Sequence, residues 1–142
     1  MATLFTKIID GEIPAQLVWR DEVCAAFLDI EPLTPGHALV VPRVEVDHWV
    51  DLPGEVLAHL TDVAARIGRA QQVAFDAPRV GVIVQGFEVP HAHVHVFPAR
   101  TADDFDLARK RPRPADDLAQ DAQALRRTLR GQGWSDEVPG QD

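Results

Sequence analysis

The segment EVPHAHVHVFPAR, residues 88–100, places three histidines, His91, His93 and His95, at every second position of a short apolar run. Side chains of an extended chain alternate between two faces. The three imidazoles therefore share one face, and Ala92, Val94 and Val96 share the other. The second face suits packing under a helix. The first is expected to be polar and at least partly wet, because unpaired imidazoles in a core are costly.

Four uses of such a face compete. The rings could be solvated on an open sheet. They could bind a metal, although the outer two lie roughly 13 Å apart at ~3.3 Å per residue, whereas imidazole nitrogens sit only ~2.0–2.1 Å from a zinc ion. Two neighbouring rings could share an ion only with help from elsewhere. The single cysteine, Cys24, is distant in sequence and no HExxH motif occurs. The third use is chemistry at an anionic centre. A neutral imidazole attacks phosphorus, and flanking rings, protonated near pH ~6.5, donate to phosphoryl oxygens. The fourth is phosphate or nucleotide binding by the same rings without turnover.

The elements that must position these rings are legible in the periodicity. Residues 3–10 suit a short amphipathic helix capped by Thr3, with Leu4, Ile8 and Phe5 inward. LVWRD and EVCAAFLDI read as two strands around a turn at Arg20–Asp21, EPLTPG as a loop, and HALVVP, residues 37–42, as a strand. From Pro53 onward, Val56, Leu57, Leu60, Val63, Ala64, Ile67 and Ala70 recur at helical spacing. RVGVIVQG, residues 79–86, returns to a strand, and HAHVHVFP forms the next, ended by Pro98. Residues after Arg100 begin as a charged, proline-bearing loop. A final helix follows, with Pro114 and acids early, arginines late and Gly131 at its stop. The last residues read as a mobile tail.

The chain has 142 residues, a size for one domain, with 46% hydrophobic and 25% charged residues. Its net charge of −8 argues against broad adhesion to nucleic acid or anionic membrane. No apolar run approaches the ~20 residues that span a bilayer. One cysteine allows no internal disulfide, and the N-terminus lacks the apolar core of a signal peptide. A cytoplasmic protein is expected.

HAHVHVFP resembles the signature of the histidine triad (HIT) superfamily. LFTKIIDGEIPA is similar to its N-terminal helix and turn, and AFLDIEPLTPGHALVVPR to its middle block. The resemblance implies an α+β, HIT-like fold: a mainly antiparallel sheet of about five strands, a long helix on one face and a C-terminal helix. Residues 1–100 would form the domain core and 101–142 an extension. It implies a nucleotide hydrolase or transferase that works through a nucleotidyl-histidine and needs no cofactor. A purine nucleotide is the implied substrate, as a phosphoramidate or a dinucleoside polyphosphate. The alternative is a nucleotide-binding regulatory module with little turnover.

By this resemblance His93 is the nucleophile, its other ring nitrogen donating to a backbone carbonyl of its own strand. His95 contacts phosphate and assists the leaving group. His91 pairs with a histidine of the middle block, the place held by His37. Asp29 holds the ribose hydroxyls. Leu4, Phe5, Ile8, Phe27 and Ile30 build the slot for the base, positions that also suit plain core. Gln85 touches phosphate or the leaving group. The phosphate loop is short, with Glu88 and Val89 at the substrate side, the hydroxyl residue of many relatives missing, and the amides of 88–91 left to cradle an anion. Thr3 and Thr6 stand where some bacterial relatives carry zinc-binding cysteines, so no metal is expected. Family members commonly form homodimers through the long helix and an adjoining strand.

Overall fold

A computed structural model describes residues 2–140. Helix α1 spans Leu4–Ile9. Strands β1 (Leu17–Arg20), β2 (Cys24–Leu28) and β3 (Ala38–Pro42) precede helix α2 (Gly54–Ala74). Strands β4 (Arg79–Ile83) and β5 (Val94–Ala99) lead to helix α3 (Ala115–Gly131). The five strands form one sheet in the order β1-β2-β3-β5-β4, and every neighbouring pair is antiparallel. The expected α+β architecture is therefore present. Among the described residues no helix is long and apolar enough to cross a membrane.

Alternation along the strands splits the core in two. Ala26, Leu28, Ala38, Val40, Val94 and Val96 point to the face covered by α2 and α3. Ala25, Phe27, Leu39 and Val41 point to the opposite face, where Phe5, Ile8 and Ile9 of α1 cover part of them. Each fully buried Val, Leu, Ile or Phe side chain among them contributes about 1.5–3 kcal/mol. The side chain of Thr3 caps α1 by accepting from the Thr6 amide, as the sequence predicts.

Two contacts tie the helical layer to the histidine-bearing strands. Gln71 of α2 is fully buried and donates to the carbonyls of Gly36 and Val96, both at 2.9 Å. These atoms directly precede His37 and directly follow His95. Gly36 itself has φ +92°, and any Cβ there would collide with the Phe75 ring. Glycine is thus required where the chain turns into β3.

Pro98 does not end β5; it pairs with Val80 inside the strand. The reason is directional. A residue's N–H and C=O point to the same side of a strand, and the Pro98 carbonyl accepts from the Thr34 hydroxyl at 2.7 Å. Its missing N–H therefore faces the loop before β3, not β4. The strand also starts later than its sequence suggests, at Val94, so His91 and His93 sit in the extended approach to it.

Residues 134–140, part of the stretch 134–142 that reads as a mobile tail, fold back onto β1 and α3. The Arg20 amide donates to the Glu137 carbonyl at 2.7 Å. Val138 is buried, and Trp134 stacks between Trp19 and the Arg66 guanidinium. The rest of that expectation, residues 141–142, falls outside the described residues.

Candidate active site

His91, His93 and His95 do share the α1 face, but they are not wet. Their exposures are 0%, 5% and 4%. Burial is affordable because each ring is hydrogen-bonded, and those partners fix which nitrogen carries the proton. The Leu33 amide donates to His37 Nδ1 at 2.9 Å. A neutral His37 must then bear its proton on Nε2, which lies 2.9 Å from His95 Nδ1. His95 Nδ1 accepts, and its proton is left on Nε2. His93 Nδ1 lies 2.8 Å from the His91 carbonyl, an acceptor only. Its proton is on Nδ1, and the Nε2 lone pair is free. His91 Nε2 likewise donates to the Pro42 carbonyl at 2.7 Å, so its Nδ1 accepts from the Thr3 hydroxyl at 2.6 Å.

This corrects one expected pairing. His37 bonds His95, not His91. The register explains it: Leu39 faces His95 across β3–β5, so His37 is a diagonal neighbour of His95, while His91 lies at the far end of β3, by Pro42. The donation from His93 to its own chain's carbonyl follows the expectation.

Burial favours the neutral form of His37, His93 and His95. Burial, followed by the neighbouring His37, His93 and Lys110, pushes His95 down to about 3. Burial likewise takes His37 down to about 4, against the pull of Asp29. His93 is lowered for the same first reason. His95 is thus not the half-protonated donor that its ordinary range near pH 6.5 suggests. His95 still offers a donor, because its tautomer is set.

His93 is the residue at which two clefts meet. One, of ≈ 350 Å³, is walled by Phe5, Ile8 and Phe27, with Leu4 and Ile30 at its rim; Asp29, Glu88, Val89 and His95 also line it. Phe5 packs edge-on against the His93 ring, centroids 4.9 Å apart. Leu4 is 47% and Ile30 70% exposed, so these two flank an opening rather than fill a core. The second cleft, of ≈ 340 Å³, is bounded by Asp47, His48, Trp49, Gln85 and Phe87. Gln85 lies there, on the other side of His93 from the apolar slot. His37 and His91 lie beneath the floor and line neither cleft.

The loop before the triad offers fewer donors than its length suggests. Pro90 has no N–H, and the His91 amide already donates to the Val89 carbonyl at 2.8 Å. Only the amides of Glu88 and Val89 remain for an anion. Three further groups escaped sequence reasoning. Lys110 Nζ reaches Asp29 Oδ2 at 2.6 Å from 81 positions away. Thr3 N and the Thr6 hydroxyl both donate to Glu45 Oε1, at 2.9 and 2.6 Å, and with His91 they clamp α1 to the triad. The Leu33 amide sets the His37 tautomer. None has a spacing signal, because all three depend on loops folding back.

The comparisons with known proteins agree with this geometry. The HIT domain family model matches residues 10–102. The chain belongs to the HIT family. It is 35% identical over 104 residues to the purine nucleoside phosphoramidase of Escherichia coli, covering 69% of this chain and 87% of that protein. It is 36% identical over 104 residues to a HIT-like protein of Methanocaldococcus jannaschii, covering 70% and 81%. Among solved structures, a zinc-bound histidine triad family protein from Mycobacterium smegmatis superposes with a TM-score of 0.82 at 30% identity, covering 93% of this chain and 96% of that one. The HIT family is one of nucleotide-binding hydrolases and transferases.

The zinc of the mycobacterial relative prompts a test of donors here. Thr3, Thr6, Glu45 and His91 supply two hydroxyls, a carboxylate and one imidazole, linked in a hydrogen-bonded chain from Glu45 through Thr3 to His91. Zinc prefers thiolate and imidazole, and this set does not fit it. Two other groups of ligand-type atoms lie close together, Asp21–Cys24–His59 and Asp29–His37–His95. In the first, Asp21 accepts from Trp19, Cys24 and His59. In the second, Lys110 occupies Asp29.

Proposed function

We propose that this HIT protein hydrolyses purine nucleoside phosphoramidates or related purine nucleotide conjugates at the α-phosphorus, through a nucleotidyl-His93 intermediate. The observation that carries the reading is the His93 ring. Its Nδ1–H is committed to the His91 carbonyl, and its Nε2 lone pair is free where the two clefts meet. The purine lies in the slot of Phe5, Ile8 and Phe27, and the ribose against Asp29. The leaving group extends toward Gln85.

The bonds balance as follows. The Nε2 lone pair forms a bond to phosphorus while the bond to the leaving nitrogen breaks. That nitrogen, held by His95 Nε2–H, takes a proton from solvent and departs as the amine. Water then attacks phosphorus, the N–P bond returns its pair to His93, and the excess proton passes to solvent. The net change is phosphoramidate plus water to nucleoside monophosphate plus amine. Positioning and fixed donors supply the acceleration. The Glu88 charge acts on His93, where the two clefts meet, and so disfavours a polyphosphate leaving group and suits an amine.

The test is a substrate panel followed by intact-mass measurement. Adenosine and guanosine phosphoramidates are expected to turn over faster than dinucleoside polyphosphates, with a monophosphate adduct trapped on acid quench. Binding of AMP without any turnover would replace this reading with the regulatory one.

The protein is also proposed to be a homodimer. Strand β4 is an edge of the sheet. Beside it a groove of ≈ 550 Å³ runs along α2, lined by Leu57, Val80, Val82, Val84 and Trp49. Val82 is 54% and Val73 68% exposed. An apolar edge of this kind invites a second sheet. Sedimentation equilibrium is expected to give twice the chain mass, and Val82→Lys to give the monomer; a wild-type monomer at tens of micromolar would end the proposal.

A further inference from the structure

We infer that Lys110 is a nucleotide-binding residue, supplied from outside the region matched by the HIT family model, and that with Asp29 it reads the vicinal diol of the sugar. This rests on the proposed binding of a purine nucleotide in the Phe5–Phe27 slot.

Lys110 lines that cleft. Its ammonium is 2.6 Å from Asp29 Oδ2, and the two side chains are only 15% and 9% exposed. A largely covered ammonium has three N–H bonds to satisfy. Asp29 takes one, and no other hydrogen-bond acceptor of Lys110 Nζ is found among the described residues. The remaining donors lie in a cleft wall, where a ligand oxygen would satisfy them. Asp29 is similarly half used. Its Oδ1 accepts from the Glu31 amide at 2.9 Å and its Oδ2 from Lys110, which leaves acceptor directions open on both oxygens.

The pair is a paired donor and acceptor. A hydroxyl can donate to the carboxylate and accept from the ammonium at once. A phosphate cannot, because Asp29 beside the ammonium repels it. The complementary ligand group is therefore a neutral diol. Lys110 is also held in place. The Arg113 amide donates to the Ile30 carbonyl at 3.1 Å, and the Arg113 guanidinium grips Asp121 at 2.6 and 3.2 Å. The segment is thereby tied to the loop that carries Asp29 at one end and to α3 at the other.

The experiment is calorimetry on wild type, Lys110→Met and Lys110→Arg. The ligands are AMP and GMP, their 2′-deoxy and 3′-deoxy forms, and adenosine. Wild type is expected to favour the ribonucleotides. In Lys110→Met that preference should shrink about tenfold, the ratio carried by one charge-assisted hydrogen bond, and Lys110→Arg should restore part of it. A merely structural lysine would weaken all ligands equally and leave the ratio unchanged, which overturns the inference. So would tighter AMP binding by Lys110→Met, showing that the ammonium blocks Asp29. A fall confined to the AMP-to-adenosine difference would assign Lys110 to phosphate instead. If wild type binds none of these ligands, the functional proposal fails first and this one with it.

Discussion

His93→Ala is expected to lose hydrolysis of a purine nucleoside phosphoramidate by at least about 10⁴-fold, the scale seen when a covalent nucleophile is deleted. It is also expected to leave no nucleotidyl adduct on acid quench. Binding should survive, because the slot of Phe5, Ile8 and Phe27 and the Asp29–Lys110 pair are untouched. The wild-type pH profile follows from the same ring. Burial lowers His93 below its usual 6.5, so the free base already dominates at neutral pH. The acid limb of kcat/KM should therefore have its midpoint below 6.5, with a flat rate above it. A limb centred above that value, or an adduct that persists in His93→Ala, would place the nucleophile elsewhere.

How much of this was legible beforehand depended on whether the information was local. Alternation put three imidazoles on one face, and the helical spacing of Leu60, Val63, Ala64 and Ile67 located α2, because both are periodic signals within one element. Leu4, Phe5, Ile8, Phe27 and Ile30 line the cleft, but periodicity alone reads them as core, and only the family resemblance marks them as a slot. The family resemblance places the His37 partner at the wrong end of the triad, since a strand register is a relation between elements and only the pairing of Leu39 with His95 decides it. The dryness of the triad face could not be read either. It depends on Pro42 and Thr3 holding His91, on the His91 carbonyl holding His93, and on His37, itself fixed by the Leu33 amide, holding His95; three of these partners are backbone groups, which carry no side-chain signal. Pro98 looked like a terminator because the side toward which its nitrogen points is a property of the sheet. Lys110 sits in ARKRPRP, a run that reads as solvated charge. Only the return of residues 110–113 to Ile30 reveals it beside a carboxylate.

The relay of fixed tautomers gives His37 a role distinct from that of the triad it supports. It lines neither cleft, yet its Nε2–H holds His95 Nδ1 as an acceptor and so keeps the His95 proton on the cleft side. His37→Leu removes that constraint, leaves the Leu33 amide unpaired, and frees His95 to turn or to carry its proton on the wrong nitrogen. The cost should appear in kcat, at about 10²-fold for an amine leaving group, the low end of what one preorganised hydrogen-bond donor contributes in a transition state. It should nearly vanish for a substrate whose leaving group needs no proton, such as a nucleoside 5′-fluorophosphate. KM should change little in both cases. A positioning role therefore predicts a steep dependence of the defect on leaving-group basicity, which a general loosening of the fold cannot produce. If His37→Leu slows the two substrates equally, His37 is a structural residue of β3, and leaving-group assistance in this protein must come from Gln85 or from water on the far side of His93.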